Sequence, residues 1–246
     1  MSYFSADPQL SSLGPFTSTA SLSDAVQLGA RFKTQDGRVF RAFKNGAVAA
    51  VPGKLYQTAA QITNHQDLVP AAAAIGATQV TVTLGATAAT ANQYAGGQLM
   101  VSITPGQGYS YEIDSHPAAD ASATLVLTLK DPIQIALTTA SNVDLVPNPY
   151  NGVILTVVTT ITGCPVGVPV YAVAANEYGY LQTGGIANVL ADGTVLVGDS
   201  VVYSNGTAGA VEAAANASTE AQSVVGRALS GIATTEYGPI FLTLDC

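Results

Sequence analysis

The sequence of 246 residues predicts an all-β protein, built from antiparallel sandwich or barrel modules that follow an extended N-terminal arm. Ala, Gly, Val and Thr dominate the composition and Trp is absent, which suits short strands and tight turns. Apolar and polar residues alternate with a period of two in many short segments, as in half-buried strands. Gly, Asn, Asp and Pro separate these segments at spacings that are typical of antiparallel β-structure.

Residues 1–28 form the predicted arm. They are rich in Ser, Thr, Ala and Pro, contain no basic residue and show no apolar periodicity. Arms of this composition are often disordered alone and become ordered on a neighbouring subunit. A terminus without any binding role is the alternative interpretation.

Residues 29–145 form the first predicted β module, which begins with basic hairpins. Asp36-Gly37 and Asn45-Gly46 are two-residue turn signals between short β-prone runs. A short helix is predicted at 69–77. Four later segments alternate polar and apolar residues and are predicted to be half-buried strands: 79–84, 98–103, 109–113 and 124–129.

Residues 146–246 form the second predicted β module, which follows a connection rich in Pro and Asn. Asp192-Gly193 and Asn205-Gly206 predict two hairpins, and residues 238–244 predict a final strand. A weak helix pattern covers residues 212–221, where a loop is equally compatible with the sequence.

The charge is low and unevenly distributed. Charged residues make up 10% of the chain, against about 25% in ordinary globular proteins, so other subunits or uncharged polar side chains are expected to cover much of the surface. Residues 1–54 carry a net charge of +3 and residues 55–246 a net charge of −11. The candidate contact residues for a neighbouring subunit or another acidic partner are the six clustered basic ones: Arg31, Lys33, Arg38, Arg41, Lys44 and Lys54.

This asymmetry favours packing of the basic segment against an acidic neighbour. A solvated basic hairpin is the alternative. The overall acidity argues against nucleic acid as a partner. No run of about 18–20 apolar residues predicts a membrane span, and the first thirty residues lack the pattern of a secretory signal.

No pattern of reactive residues predicts an enzyme, a metal site or a cofactor. His65 and His116 lie far apart, without Cys or His at metal-ligand spacing; the carboxylates near His116 are interpreted as a polar loop. Neither a Gly-x-Ser-x-Gly elbow nor a phosphate-binding loop is present. Cys164 and Cys246 do not make a disulfide framework, and free thiols fit folding in a reducing cytoplasm.

Several segments resemble virion structural proteins of tailed phages, especially the capsid decoration or cement type. The resemblance lies in GRVFRAFKNG (37–46), VPGKLYQ (51–57), GYSYEI (108–113), TITGCPVGV (160–168), LQTGG (181–185), LADGTVLVGDSVV (190–202) and VGRAL (225–229). Together these segments and their order extend the resemblance over roughly two-thirds of the chain.

The resemblance implies a non-enzymatic protein that binds the outer surface of the major capsid shell and stabilises it. The expected partners are the major capsid protein and further copies of the chain, as a homotrimer. The expected location is the capsid surface of the virion, after folding in the host cytoplasm. The resemblance supplies no catalytic residues.

Two other classes of function fit the sequence. One is another virion component, such as a head fibre, a tail tube or a baseplate protein, although no fixed repeat period of the kind common in fibres is visible. The other is a carbohydrate-binding or surface-layer β protein, which the eleven tyrosines favour and the missing export signal disfavours.

Overall fold

The computed structural model describes residues 17–22, 26–158, 162–216 and 223–245. In this part of the chain the protein is all-β, as predicted, with fifteen strands and two short 3-10 turns. The strands are β1 (Arg31–Lys33), β2 (Val39–Asn45), β3 (Tyr56–Gln57), β4 (Gln79–Thr83), β5 (Gln98–Ile103), β6 (Ser110–Ser115), β7 (Thr124–Leu129), β8 (Asn142–Val146), β9 (Asn151–Leu155), β10 (Pro165–Pro169), β11 (Tyr178–Leu190), β12 (Ser200–Tyr203), β13 (Val211–Ala213), β14 (Val224–Ala228) and β15 (Tyr237–Thr243).

The chain divides into two compact units, and one is inserted into the other. The inserted unit is Gln61–Asn148, and the other unit combines the residues before it with those after it. The predicted boundary at 145/146 lies close to the end of the insertion. Residues 29–60, however, belong with the C-terminal strands rather than with 61–145, because β2 pairs with β9 and β11.

The inserted unit is a five-stranded antiparallel barrel with the strand order β4-β7-β6-β5-β8. The segment before β4 closes it, since Leu68 pairs with Val143 of β8 and Pro70 pairs with Val82 of β4. The helix predicted at 69–77 is therefore wrong. Its Ala-rich run favours a helix locally, but the backbone there supplies hydrogen bonds that two open sheet edges would otherwise lack.

The other unit contains two rings of paired strands that share one long strand. The first half of β11 pairs with β2, which closes the ring β2-β9-β3-β10-β11. The second half of β11 pairs with β15 and begins the series β11-β15-β14-β12-β13. A bridge between Ala191 and Val211 closes this second ring.

Each ring surrounds its own apolar core. Phe43, Tyr56 and Leu181 are among the residues that pack within the first ring. Val189 and Ile240 are among those of the second ring. Separate cores explain how such short strands remain stable, because each apolar side chain is removed from water by a small local set of neighbours.

One turn recurs eight times in the described residues. A copy of the turn begins directly after each of the eight residues that form four antiparallel bridges. In each copy, the N–H of the fourth residue after the bridge residue donates to the C=O of the first residue after it. The bridges are Ala50–Val173, Ala73–Leu137, Ala89–Ala119 and Val195–Ile232. In seven of the eight turns the third residue has a positive φ: Gly53, Gly76, Asn92, Ser122, Asn176, Gly198 and Thr235.

The predicted turn signals had mixed outcomes. Asp36-Gly37 joins the paired strands β1 and β2, and Asn205-Gly206 lies between the paired strands β12 and β13. Asn45-Gly46 is not a hairpin turn, because Asn45 ends β2 and its buried amide donates to the carbonyls of Val48, Val173 and Ala174.

Two C-terminal predictions also differ from the structure. Asp192-Gly193 does not form a hairpin with the next strand, because β11 pairs with β15 rather than with β12. The helix pattern at 212–221 begins in β13 and continues as the 3-10 turn Ala214–Asn216. The rest of that pattern lies outside the described residues.

Candidate interaction surface

The basic segment predicted from the sequence forms the antiparallel pair β1 and β2 at one edge of the large sheet. Arg31 pairs with Arg41, and Lys33 pairs with Val39. Residues that pair directly, or that lie two apart on one strand, share a face of the sheet. The structure therefore brings Arg31, Lys33 and Arg41 together on one face of this edge.

Arg41 makes an internal ion pair with Asp245, near the end of the chain. Its Nε lies 2.6 Å from Oδ2 and its Nη2 lies 3.1 Å from Oδ1. Its Nη1 donates to the C=O of Gly29 over 2.6 Å. The hydrogen bond from Arg41 lowers the pKa of Asp245 and raises that of Arg41 itself. Arg41 is thus a structural residue rather than a free contact group.

Arg31, on the edge strand β1, forms a second ion pair with the carboxylate of Asp245. Its Nε lies 3.6 Å from Oδ2 of Asp245, while its side chain remains 44% exposed. Lys33 is exposed, and none of the ion pairs found among the described residues includes it. Arg31 and Lys33 are therefore the predicted contact residues that remain available on this face.

The remaining three basic residues lie elsewhere. Arg38 pairs with Asp36 over 2.7 Å in the turn and stacks over Phe40. Lys44 lies 5.7 Å above the ring of Tyr178, and its position in β2 turns it away from the face of Arg41. Lys54 is half-buried in the loop before β3. The six predicted contact residues do not form one continuous patch.

The described part of the predicted arm packs on the chain's own sheet. The N–H of Thr19 donates to the C=O of Tyr178 over 3.1 Å, and the reverse bond measures 2.8 Å. Val26 is buried beside Phe32 and Phe40. Residues 1–16 and 23–25 of the arm lie outside the described residues, so its predicted binding to a neighbouring subunit remains a prediction.

Replacing Asp245 with Asn is expected to lower the free energy of unfolding at pH 7 by about 2 kcal/mol. The change removes a bidentate, charge-assisted pair that is only partly exposed. Because the pKa of Asp245 is lowered from 3.8 in the fold, its contribution is present above about pH 4 and is lost as the pH falls through the folded value. Urea unfolding at pH 7 and pH 3 measures both effects.

Asp36→Asn is the matched control, because the Asp36–Arg38 pair is more exposed. It is expected to change the stability by less than about 0.5 kcal/mol. An equal loss in both variants would contradict the structural role of Asp245.

A buried histidine pair is the main polar feature that the sequence did not reveal. His65 and His116 are 0% and 4% exposed and lie on either side of Tyr94. The backbone N–H of Tyr94 donates to Nε2 of His116 over 2.9 Å, so that nitrogen must be the acceptor. Nδ1 of His116 then donates to the C=O of Pro117 over 2.8 Å.

His65 completes this network. Its Nε2 donates to the C=O of Thr87 over 2.9 Å, and its Nδ1 is hydrogen-bonded to the hydroxyl of Tyr94. Burial raises the pKa of Tyr94 to about 12 and lowers that of His116. Tyr94 and His116 are therefore uncharged at neutral pH, and the network is a structural element of the inserted barrel.

The inserted barrel also carries a shallow cavity of about 540 Å³. Tyr111, Glu112, Asp131 and Gln134 contribute to its wall. The carboxylate of Glu112 pairs with Lys130, and the hydroxyl of Tyr111 accepts a hydrogen bond from the N–H of Gln134. The Glu112 carboxylate and the Tyr111 hydroxyl at this cavity are therefore already engaged within the chain.

The described residues contain no group of three or more His, Cys, Asp or Glu side chains that could hold a metal ion. Cys164 is an exposed free thiol, and Cys246 lies outside the described part. None of the helices described is long and apolar enough to cross a membrane.

No protein-family model, curated protein or solved structure matches the chain.

Proposed function

We propose that the protein is a non-enzymatic decoration, or cement, protein that binds the outer surface of a tailed-phage capsid and stabilises the shell. The observation that carries the proposal is the edge strand β1, where Arg31 and Lys33 are exposed at the margin of the large sheet. The low charge of the whole chain and the resemblance to cement proteins support it further.

In this proposal the β1 edge faces an acidic area of the major capsid protein. Attraction between opposite charges increases the rate of encounter and fixes the orientation of the partners. The two rings provide a compact support for that edge. The chain folds in the host cytoplasm, associates with further copies of itself and remains on the virion surface, with neither nucleic acid nor a membrane as a partner.

Co-sedimentation with expanded, undecorated capsids tests the proposal. The wild-type chain is expected to sediment with the capsids and to raise the temperature at which they break. The double variant Arg31→Glu, Lys33→Glu is expected to bind at least about tenfold more weakly at low salt, because the attraction becomes repulsion. Lys130→Gln, in the inserted barrel, is the control and should bind normally. Failure of the wild-type chain to bind or to protect the capsids would refute the proposal.

A further inference from the structure

The outward face of β11 and β15 is apolar at the middle of the large sheet. Along β15 the side chains alternate, so that Ile240 and Leu242 are buried while Tyr237 and Phe241 are 44% and 46% exposed. Ile186 of β11 lies directly opposite Phe241 and is 55% exposed. Such large apolar side chains are costly to leave in water at neighbouring positions.

The same face continues beyond β14. The N–H of Leu229, a residue that is 45% exposed, donates to the C=O of Pro239 over 3.0 Å. Leu229 therefore lies beside Pro239 in the row next to Phe241. We define the apolar face by five residues: Ile186, Leu229, Tyr237, Pro239 and Phe241. The exposed Asn188 lies among them, opposite Pro239.

Two strands of the inserted barrel, β4 and β7, provide a contrast. On β4 the outward positions hold Gln79, Thr81 and Thr83, and on β7 they hold Thr124 and Thr128 around Val126. Uncharged polar residues therefore make up most of the solvated face of these two paired strands. Contiguous apolar patches on a protein surface mark sites of interaction, and the apolar face meets that description.

Two exposed charges lie at opposite ends of the apolar face. Arg227 lies directly across from Phe241, and Glu236 immediately precedes β15 at the other end. Glu236 lies five positions before Phe241, which corresponds to roughly 16 Å along extended chain. The two charges are too far apart to pair within one copy, and neither is in an ion pair among the described residues.

We infer that the apolar face is a contact between two copies of this chain, in which Arg227 of one copy pairs with Glu236 of the other. When two such faces meet in opposite directions, the Phe241 end of one lies against the Tyr237 end of the other. Arg227 of one copy then lies against Glu236 of the other at the rim of the contact, and the aromatic side chains become buried. This inference does not depend on the proposed capsid function.

Sedimentation equilibrium of the full chain, without capsids, tests the inference. The wild-type chain is expected to show the mass of a dimer, twice 24.9 kDa. Phe241→Asp is expected to weaken self-association by at least about a hundredfold, because it puts a charge in the centre of the contact. Val126→Asp, at an outward position of the inserted barrel that is 37% exposed, is the matched control and should not change the mass.

Charge reversal identifies the pairing itself. Arg227→Glu alone and Glu236→Arg alone are each expected to weaken self-association at least about tenfold, and the double variant is expected to restore it. Circular dichroism verifies that every variant is folded. A wild-type chain that stays monomeric at about 100 μM, an unchanged mass for folded Phe241→Asp, or a double variant without recovery would each overturn the inference. A failure to bind capsids would leave this result unaffected.

Discussion

Acidification from pH 7.5 to pH 5 is expected to destabilise the inserted barrel before the rest of the chain. The fold lowers the pKa of His116 from 6.5 through burial, so the unfolded barrel binds a proton more readily than the folded one. The contribution of neutral His116 to the stability is therefore fully present above about pH 6.5 and decreases as the pH falls below that value. A single group of this kind contributes a slope of at most about 1.4 kcal/mol per pH unit.

The geometry around His116 gives the reason for this sensitivity. Its Nε2 accepts the backbone N–H of Tyr94, and a proton on Nε2 would point at that N–H group. The contacts of its ring among the described residues are with Tyr94 and with the C=O of Pro117, and the nearby His65 lowers its pKa further. None of these is an anion that could stabilise the imidazolium form.

Hydrogen exchange measured by mass spectrometry localises the effect. After correction for intrinsic exchange rates, amides in β4–β8 should lose protection between pH 7.5 and pH 5, while those in β11 and β15 should keep it. Both histidines of the chain, His65 and His116, lie in the inserted barrel, so the second region is an internal control.

His116→Gln separates the titration from the packing. The Gln amide can accept from Tyr94 and donate to Pro117 without titrating, so this variant should lose about 1 kcal/mol at pH 7.5. It should also lack the histidine-linked slope between pH 7 and pH 5. If its slope equals that of the wild-type chain, the pH dependence has a different origin.

Gly226→Ala is expected to destabilise the second ring by about 3 kcal/mol or to prevent it from forming. A Cβ atom on Gly226 would lie 2.1 Å from the C=O oxygen of Phe241 and 3.1 Å from the Cα of Leu242. Both are backbone atoms of β15, so they cannot move aside as the end of a flexible side chain could. Chemical unfolding of the purified variant measures the loss.

Gly231→Ala tests whether this sensitivity is specific to the contact between β14 and β15. Gly231 has no positive φ, and a Cβ atom there would meet only the C=O of Val195, at 3.8 Å. This control is expected to change the stability by less than about 0.5 kcal/mol. Similar losses in the two variants would show that the second ring tolerates alanine poorly at any glycine.

Local alternation predicted the strands of the inserted barrel closely. The predicted segments 98–103 and 124–129 coincide with β5 and β7, because one face of each strand is buried and the other is solvated. The partner strands could not be predicted in the same way. β2 joins β9 and β11 from the far side of the insertion, and no local pattern records such long-range pairing.

The same limit applies to the polar residues. The clustering of basic residues predicted a basic contact segment, and within it Arg31 and Lys33 are exposed. The carboxylate of Asp245 that engages Arg41 comes from the other end of the sequence, so its role was not predictable. The contact of His65 and His116 with Tyr94 likewise depends on how the barrel closes.

The recurrent turn escaped sequence analysis for a different reason. The segments between its copies vary in length, so no fixed period appears. Its positive-φ position accepts Gly, Asn, Ser or Thr, and this variety hides the common conformation. Only the backbone reveals that four pairs of bridged loops are built in the same way.

The two rings share strand β11, so both depend on it for closure. Tyr178–Gln182 completes the first ring and Gly184–Leu190 starts the second, so neither can lose this strand and leave the other closed. The two cores therefore behave as one cooperative folding unit, although each has its own apolar interior. The barrel that interrupts the chain between β3 and β9 contributes no strand to either ring.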